Sequence, residues 1–527
     1  MDHPTIILHS PSPHDMTSLC SQCGSRTRPR TPSPGLFHSH RDEIDFINQE
    51  FSRLDSSIRL LLAEKASLSR RLNELESDTR IIPPETLSLI FHHACLFDEP
   101  VNAIPEQTQI NIAPLFQIGA VCSLWRQTAW STPALWSTII ADIQVKNAES
   151  IASLLEICLH NAGTIPLTLD LRFVLNKLDH ATLNAFPISA QVIADLLLNQ
   201  PLNAEKIRAL RLCNPPVAWA SHLSEQLRNL EVLCLVGLMG GLGDMRAKIT
   251  LPYLSSLRCC SLSTRRRIVM PSAETVTKLE LSRMHVDAAI GLLRRCANVE
   301  ECHFHHDSGL LDTNNANRNH VLERNFLTSP ITFPCLRALT WPLSTTRSSI
   351  AFYQHIRLPV LKTLQLSSSF KGALSGPIVE ALRTFLNHAP PSLEAIRLAR
   401  WSCTHESTQR ILPLLPDSIR ELALFECTED FSGHFLGCLI PDSSGDVMYL
   451  PSLQQVQLTT IDGHGLKQLM RVVEDRQDRN TSTINIILPG RNLLPKEETE
   501  QLEMFTRNRR RLGFRICLYF SRYAYQG

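Results

Sequence analysis

One spacing, an apolar residue, two others, an apolar residue, one other and an apolar residue, recurs ten times in this chain, which argues against a single compact core. It reads Ile207-Leu210-Leu212, Leu230-Leu233-Leu235, Leu257-Cys260-Leu262, Val276-Leu279-Leu281, Val299-Cys302-Phe304, Leu336-Leu339-Trp341, Leu361-Leu364-Leu366, Leu393-Ile396-Leu398, Ile419-Leu422-Leu424 and Leu453-Val456-Leu458. The last two positions of each kernel have one residue between them, so on an extended strand they point to the same side. One such strand cannot shield its apolar side, whereas a stack can. Successive kernels begin 23, 27, 19, 23, 37, 25, 32, 26 and 34 residues apart, so helices and loops of unequal length are inserted between strands. The 527 residues exceed a typical domain of about 100–200 several times over, and the 43% hydrophobic content suffices to fill a long interior.

The kernel resembles that of a leucine-rich repeat. The expected fold class is α/β: a long N-terminal helix and a small helical module, then an irregular leucine-rich-repeat-like solenoid over residues 150–527, with parallel strands on the concave face and helices and loops on the convex face. Ile165, Leu167, Leu169 and Leu171 alternate cleanly and are expected to start the sheet. Ile484-Asn-Ile486-Ile-Leu488 and Phe514-Arg-Ile516-Cys-Leu518 are its expected closing strands, on either side of a charged helix from about Glu497. Residues 286–297, 378–388 and 466–473 have the helical period that would close the convex side. Residues between kernel positions must face away from the apolar interior. Arg211, Lys278, Glu280, Glu301, His303, His305, Gln365, Arg397, Glu421, Gln455 and Gln457 are therefore the candidate contacts to a target protein, although a solvated strand face is polar in any case.

Residues 1–40, rich in Pro, Ser, Thr and Arg, lack apolar periodicity and read as a disordered tail. Cys20 and Cys23 within it could form half of a zinc site, but the only nearby ligands are His14, His38 and His40. Over 42–78 the pattern becomes a heptad seam, with Ile44, Phe51, Ile58, Lys65 and Leu72 at one core position and Ile47, Leu54, Leu61, Leu68 and Leu75 at the other. Two readings remain open: a homodimer through residues 44–75, or one amphipathic helix packed on its own chain. In a parallel pair Glu50 would meet Asp55 unfavourably and Arg71 would meet Glu76 favourably.

From Ile82 a second helical segment begins. Pro83 and Pro84 suit a first helical turn, Glu85 suits its positive end, and Leu87, Ile90, Phe91 and Ala94 are spaced to share a face. After a proline-containing loop, Leu115, Ile118, Val121, Cys122 and Trp125 form a second apolar face, and Trp125, Trp130 and Trp136 bring half of the six tryptophans into twelve residues. The runs Ile82-Pro83-Pro84-Glu85-Thr86-Leu87-Ser88-Leu89-Ile90-Phe91 and Val121-Cys122-Ser123-Leu124-Trp125-Arg126, with Ala129 and Pro133-Ala134-Leu135-Trp136, resemble the two halves of an F-box. In particular they resemble F-box proteins of mushroom-forming fungi, in which a predicted coiled segment precedes the box. Phe91 and Val121 stand 30 residues apart, so a loop of about residues 97–113 is inserted relative to the family.

The resemblance covers 80–138 and implies a three-helix module that docks on the Skp-type linker of a cullin ubiquitin ligase. It makes Pro83, Leu87, Ile90, Phe91, Val121, Cys122 and Trp125 candidates for that interface or its supporting core. The function it implies is that of a substrate-receptor adaptor in an SCF-type ligase, which holds a target on the repeats and performs no chemistry itself. The alternative is a leucine-rich scaffold whose degenerate box recruits no ligase.

Lys plus Arg number 52 and Asp plus Glu 51, so no net field steers the chain toward nucleic acid or an acidic membrane. No window approaches the roughly 18 uninterrupted apolar residues of a membrane span. Sixteen cysteines without regular spacing suggest a reducing compartment, cytoplasmic or nuclear. No cofactor is expected. His303 and His305 share a strand side without a further ligand, the Gly237–Gly243 run lacks the lysine of a phosphate loop, and no nucleophile-and-base arrangement can be assembled, so an enzyme is not expected. Arg265–Arg267 and Arg509–Arg511 read as solvated basic runs.

Overall fold

The computed structural model describes residues 39–76, 81–97, 109–110, 112–174, 190–217, 219, 223, 227–237, 249–252, 254–264, 268–271, 273–305, 330–344, 346–368, 376–402, 405–440, 449–460, 462–478, 484–488, 496–511 and 516–520. Cys20, Cys23, His14 and His38 lie outside them, as do Arg265–Arg267. The chain divides into two compact units, one of residues 1–87 with 117–128 and the other of 88–116 with 129–527.

The first unit is led by helix α1, His40–Glu76, two residues earlier at each end than the heptad pattern implied. Its 37 residues contain no Gly or Pro, and they rise about 55 Å at 1.5 Å per residue. The Ser39 hydroxyl accepts the Asp42 amide at 3.2 Å, and Asp42 and Glu43 place negative charge at the positive end of the helix.

Helix α2 spans Pro84–Cys95, with the Leu87 amide donating to the Pro83 carbonyl at 3.0 Å. Its buried stripe is Leu87, Phe91 and Cys95, each 1% exposed. This corrects the expected face: Ile90 and Ala94 lie open, because steps of exactly four residues carry the stripe past them. The second apolar segment is also two helices rather than one, α3 over Ile112–Val121 and α4 over Ser123–Trp130. Cys122 breaks them apart and begins the second: its sulfur accepts the Trp125 amide at 3.4 Å and its carbonyl the Arg126 amide at 3.0 Å. The Arg126 guanidinium turns back to donate to the Gly119 carbonyl at 2.8 Å, satisfying an acceptor left over at the end of α3. The expected loop carries an antiparallel pair of two-residue strands, Leu96–Phe97 with Gln109–Ile110.

The second unit is dominated by one open sheet of fourteen strands. In chain order they are β1 Thr138–Ile143, β2 Leu167–Phe173, β3 Ile207–Cys213, β4 Val232–Val236, β5 Cys259–Ser263, β6 Lys278–Ser282, β7 Glu301–His305, β8 Ala338–Leu343, β9 Thr363–Ser368, β10 Ala395–Ala399, β11 Glu421–Phe425, β12 Gln455–Leu458, β13 Ile484–Leu488 and β14 Ile516–Phe520. Each pairs with the next, always parallel. A parallel neighbour requires the chain to cross back between strands, and helices such as Val286–Leu293, Gly376–Leu386, Gly463–Asp478 and Lys496–Arg511 lie in those crossings, where the helical period placed them.

The register explains the kernel. Its second position forms an unbroken row across the sheet: Ile139, Leu169, Leu210, Leu233, Cys260, Leu279, Cys302, Leu339, Leu364, Ile396, Leu422, Val456, Ile486 and Leu518. From Ile139 to Ile486 every member is at most 1% exposed. Burying each leucine side chain stabilises the array by about 2 kcal/mol.

The sheet starts earlier than residue 150. Trp136, Ile139 and Ala141 have kernel spacing, but with a tryptophan and an alanine at its ends, and β1 precedes the strand expected to be first. The stretch 80–138 accordingly runs into the first strand at its C-terminal end. The 3-10 turn Pro133–Trp136 belongs with the sheet, where Leu135 and Trp136 are 0% exposed. Trp136 stacks edge-on against Trp130 at 5.1 Å and Phe116 at 6.0 Å, and its indole N–H donates to the Ala129 carbonyl at 2.9 Å.

Candidate functional site

The box-like segment separates supporting core from surface residue by residue. Leu87, Phe91 and Cys122 are buried and Trp125 is half-buried, whereas Pro83, Ile90 and Val121 are exposed. Leu89, at 62% exposure, and Phe116 are open apolar residues that the motif did not single out. Their signal lay in helical phase: Leu89 is two residues past Leu87, about 200° around α2 at 3.6 residues per turn. Fifteen of the twenty large apolar residues exposed in the described chain fall between Ile44 and Val121. A polypeptide that buries its apolar side chains as fully as the sheet does leaves such a concentration where something else covers it.

The second surface is the sheet side opposite the leucine row, and register sorts its residues. Asp170 pairs across strands with Arg211, and its Oδ2 accepts from Arg172 at 2.9 Å with Arg211 Nη1 at 3.6 Å. Asp170 is only 4% exposed, so Arg211 is held in place by a buried carboxylate that the kernel reading passed over. Farther along, Lys278 lies 3.4 Å from Glu280 and 3.9 Å from Glu301. Glu301 lies 3.8 Å from His303 Nε2, and His303 Nδ1 lies 2.9 Å from the Thr340 hydroxyl. Lys278 faces Glu301, and His303 faces Thr340, in strand register, so the four form one cross-strand chain. The His305 ring stacks nearly parallel to that of His303, with centroids 6.5 Å apart. Gln365 and Gln457 are half-buried with no side-chain hydrogen bond or ion pair among the described residues, and Arg397 is half-buried with none either, although its charge acts on His303; Glu421 is exposed and Gln455 half-buried. Arg211, Lys278, Glu280 and His303 are therefore committed to neighbours, and Gln365, Arg397 and Gln457 are the ones available.

Burial lowers the pKa of His303 below its usual 6.5, with Glu280 opposing the shift and Lys278 reinforcing it; His305, more exposed, shifts the same way by burial and by His303. A histidine whose folded pKa lies below its unfolded one binds fewer protons when folded, so its contribution is complete above about 6.5 and is lost as pH falls through the folded value. Between pH 7 and 5 the chain should lose more stability than its His303→Gln variant, measured as the difference in urea midpoints of the two proteins. An equal loss in both would contradict the assignment.

Among the described residues no group of three or more His, Cys, Asp or Glu is placed to hold a metal ion. No described helix is long and apolar enough to cross a membrane. Twelve of the described cysteines are free thiols. Burial pushes Cys158 and Cys296 up to about 12 and Cys234 to about 11, so these thiols pack as small apolar side chains. No protein-family model matches the chain, and no curated protein matches it.

Proposed function

We propose that the chain is a substrate-receptor adaptor: the box-like segment binds a Skp-type linker of a cullin ubiquitin ligase, and the strand array, a leucine-rich-repeat solenoid, holds a target protein. The observation that carries this reading is the exposure of Leu89 and Ile90 on α2 and of Phe116 and Val121 on α3, inside the segment whose sequence resembles an F-box. Water-exposed apolar side chains on helices that bury only one stripe, Leu87, Phe91 and Cys95 on α2 and Leu115 on α3, are what a linker groove would accept. On the sheet, Arg397, with Gln365 and Gln457, offers donors and acceptors that a target can engage without breaking a hydrogen bond or ion pair described within the chain.

Capture of the linker subunit by the full chain tests the first half. Ile90→Asp and Val121→Asp, each at an exposed position, should weaken capture by at least about tenfold with unchanged thermal unfolding. Phe91→Asp is unsuitable, since Phe91 is 1% exposed and the variant would fail to fold. Undiminished capture by both variants would overturn this interface, and no capture by the unaltered chain would favour the scaffold without ligase recruitment.

A further inference from the structure

Half of the large apolar residues left exposed in the described chain lie on α1 alone, each at least 42% open. Eight occupy heptad seam positions, from Ile44 to Leu75; of the other two seam positions, Leu54 is half-buried and Lys65 is exposed. The longest other described helices have 16 residues, about 24 Å at 1.5 Å per residue, so neither can cover a seam of this length. A second copy of α1 matches it end to end.

We propose that α1 pairs with α1 of a second copy, the two running antiparallel about an axis between residues 59 and 60. In that arrangement Ile58 of each copy faces Leu61 of the other, Ile44 faces Leu75, and Leu62, exposed beside the seam, meets its own counterpart at the axis. The charges select the direction. A parallel pair sets Lys65 against Lys65 in the seam, relieved only by Glu64 alongside, and sets Glu50 against Asp55 twice. The antiparallel pair places each Lys65 opposite Leu54 and within reach of Asp55 of the second copy, and each Glu50 near Arg71.

The test uses the full chain in sedimentation equilibrium through the micromolar range, where it should be a dimer. Lys65→Glu, which sets two carboxylates together, and Asp55→Lys, which sets two cations together, should each weaken association on the order of tenfold. Combined, the two substitutions should restore it. A parallel pair would not be restored, since position 65 would still face a like charge. p-Benzoylphenylalanine incorporated in place of Asn48 should crosslink to residues near Arg71, about 35 Å farther along the same helix at 1.5 Å per residue and therefore reachable only on the second copy. A monomer across the range, an unrestored double variant, or crosslinks confined to residues near 48 would overturn the proposal.

Discussion

Trp341→Ala should destabilise the sheet unit by about 4 kcal/mol, read as a fall in urea midpoint with little change in slope. Trp341 holds the third kernel position of β8 and is 0% exposed. Its indole stacks on Phe352 at 4.1 Å between centroids and meets Phe304 edge-on at 5.0 Å. Removing it opens a cavity between a strand and the helix Arg347–His355 that rigid neighbours can only partly fill. A control separates volume from hydrogen bonding. The Trp341 indole nitrogen is buried with no hydrogen-bond partner, whereas that of Trp401 donates to the Leu366 carbonyl at 2.9 Å. Trp401→Phe should therefore cost about 1 kcal/mol more than Trp341→Phe; equal costs would show that the two ring sites do not differ as described.

Arg476→Met should cost about 3 kcal/mol, a large penalty for a residue near the end of a charged helix. Arg476 is 0% exposed, and its guanidinium donates to the carbonyls of Tyr449 and Leu450. Leu450 has φ 52°, a backbone region that leucine seldom enters, so the arginine holds a turn its own sequence would not favour. Methionine keeps the stem packed but takes the donor from both carbonyls, the Leu450 one buried and the Tyr449 one half-buried. The check is equilibrium unfolding of Arg476→Met beside Arg471→Met, an exposed arginine on the same helix that should unfold within about 0.5 kcal/mol of the unaltered protein.

The two tryptophans and the arginine also mark what the sequence made legible. All ten kernels became strands, since a one-residue gap between apolar side chains has one geometric meaning on extended chain and neighbouring kernels reinforce one another. β1 escaped because its kernel is Trp136, Ile139 and Ala141, and an alanine carries almost no hydrophobic signal although its register position buries it. Arg476 escaped because charge suggested solvent, even though it continues the buried stripe of Leu466, Leu469, Val472 and Val473. On the box-like segment, motif residues were found but their sorting into Leu87 and Phe91 inside and Ile90 and Val121 outside depends on helix phase to within one residue, which the break at Cys122 reset. The polar sheet face follows from alternation. Its division into committed and available side chains follows from which strands become neighbours, and the buried Asp170 beneath Arg211 could not be inferred without that pairing.

The scattered thiols have a practical consequence. Cys158, Cys234, Cys260, Cys296 and Cys302 are sealed at successive depths along the array, each too weakly acidic at neutral pH to react while enclosed. An alkylating reagent can reach each one only when its own stretch of chain opens. The molecule thus carries built-in timers for local melting: matching labelling rates would mean that the strands let go together, and graded rates would reveal the end from which the stack unzips.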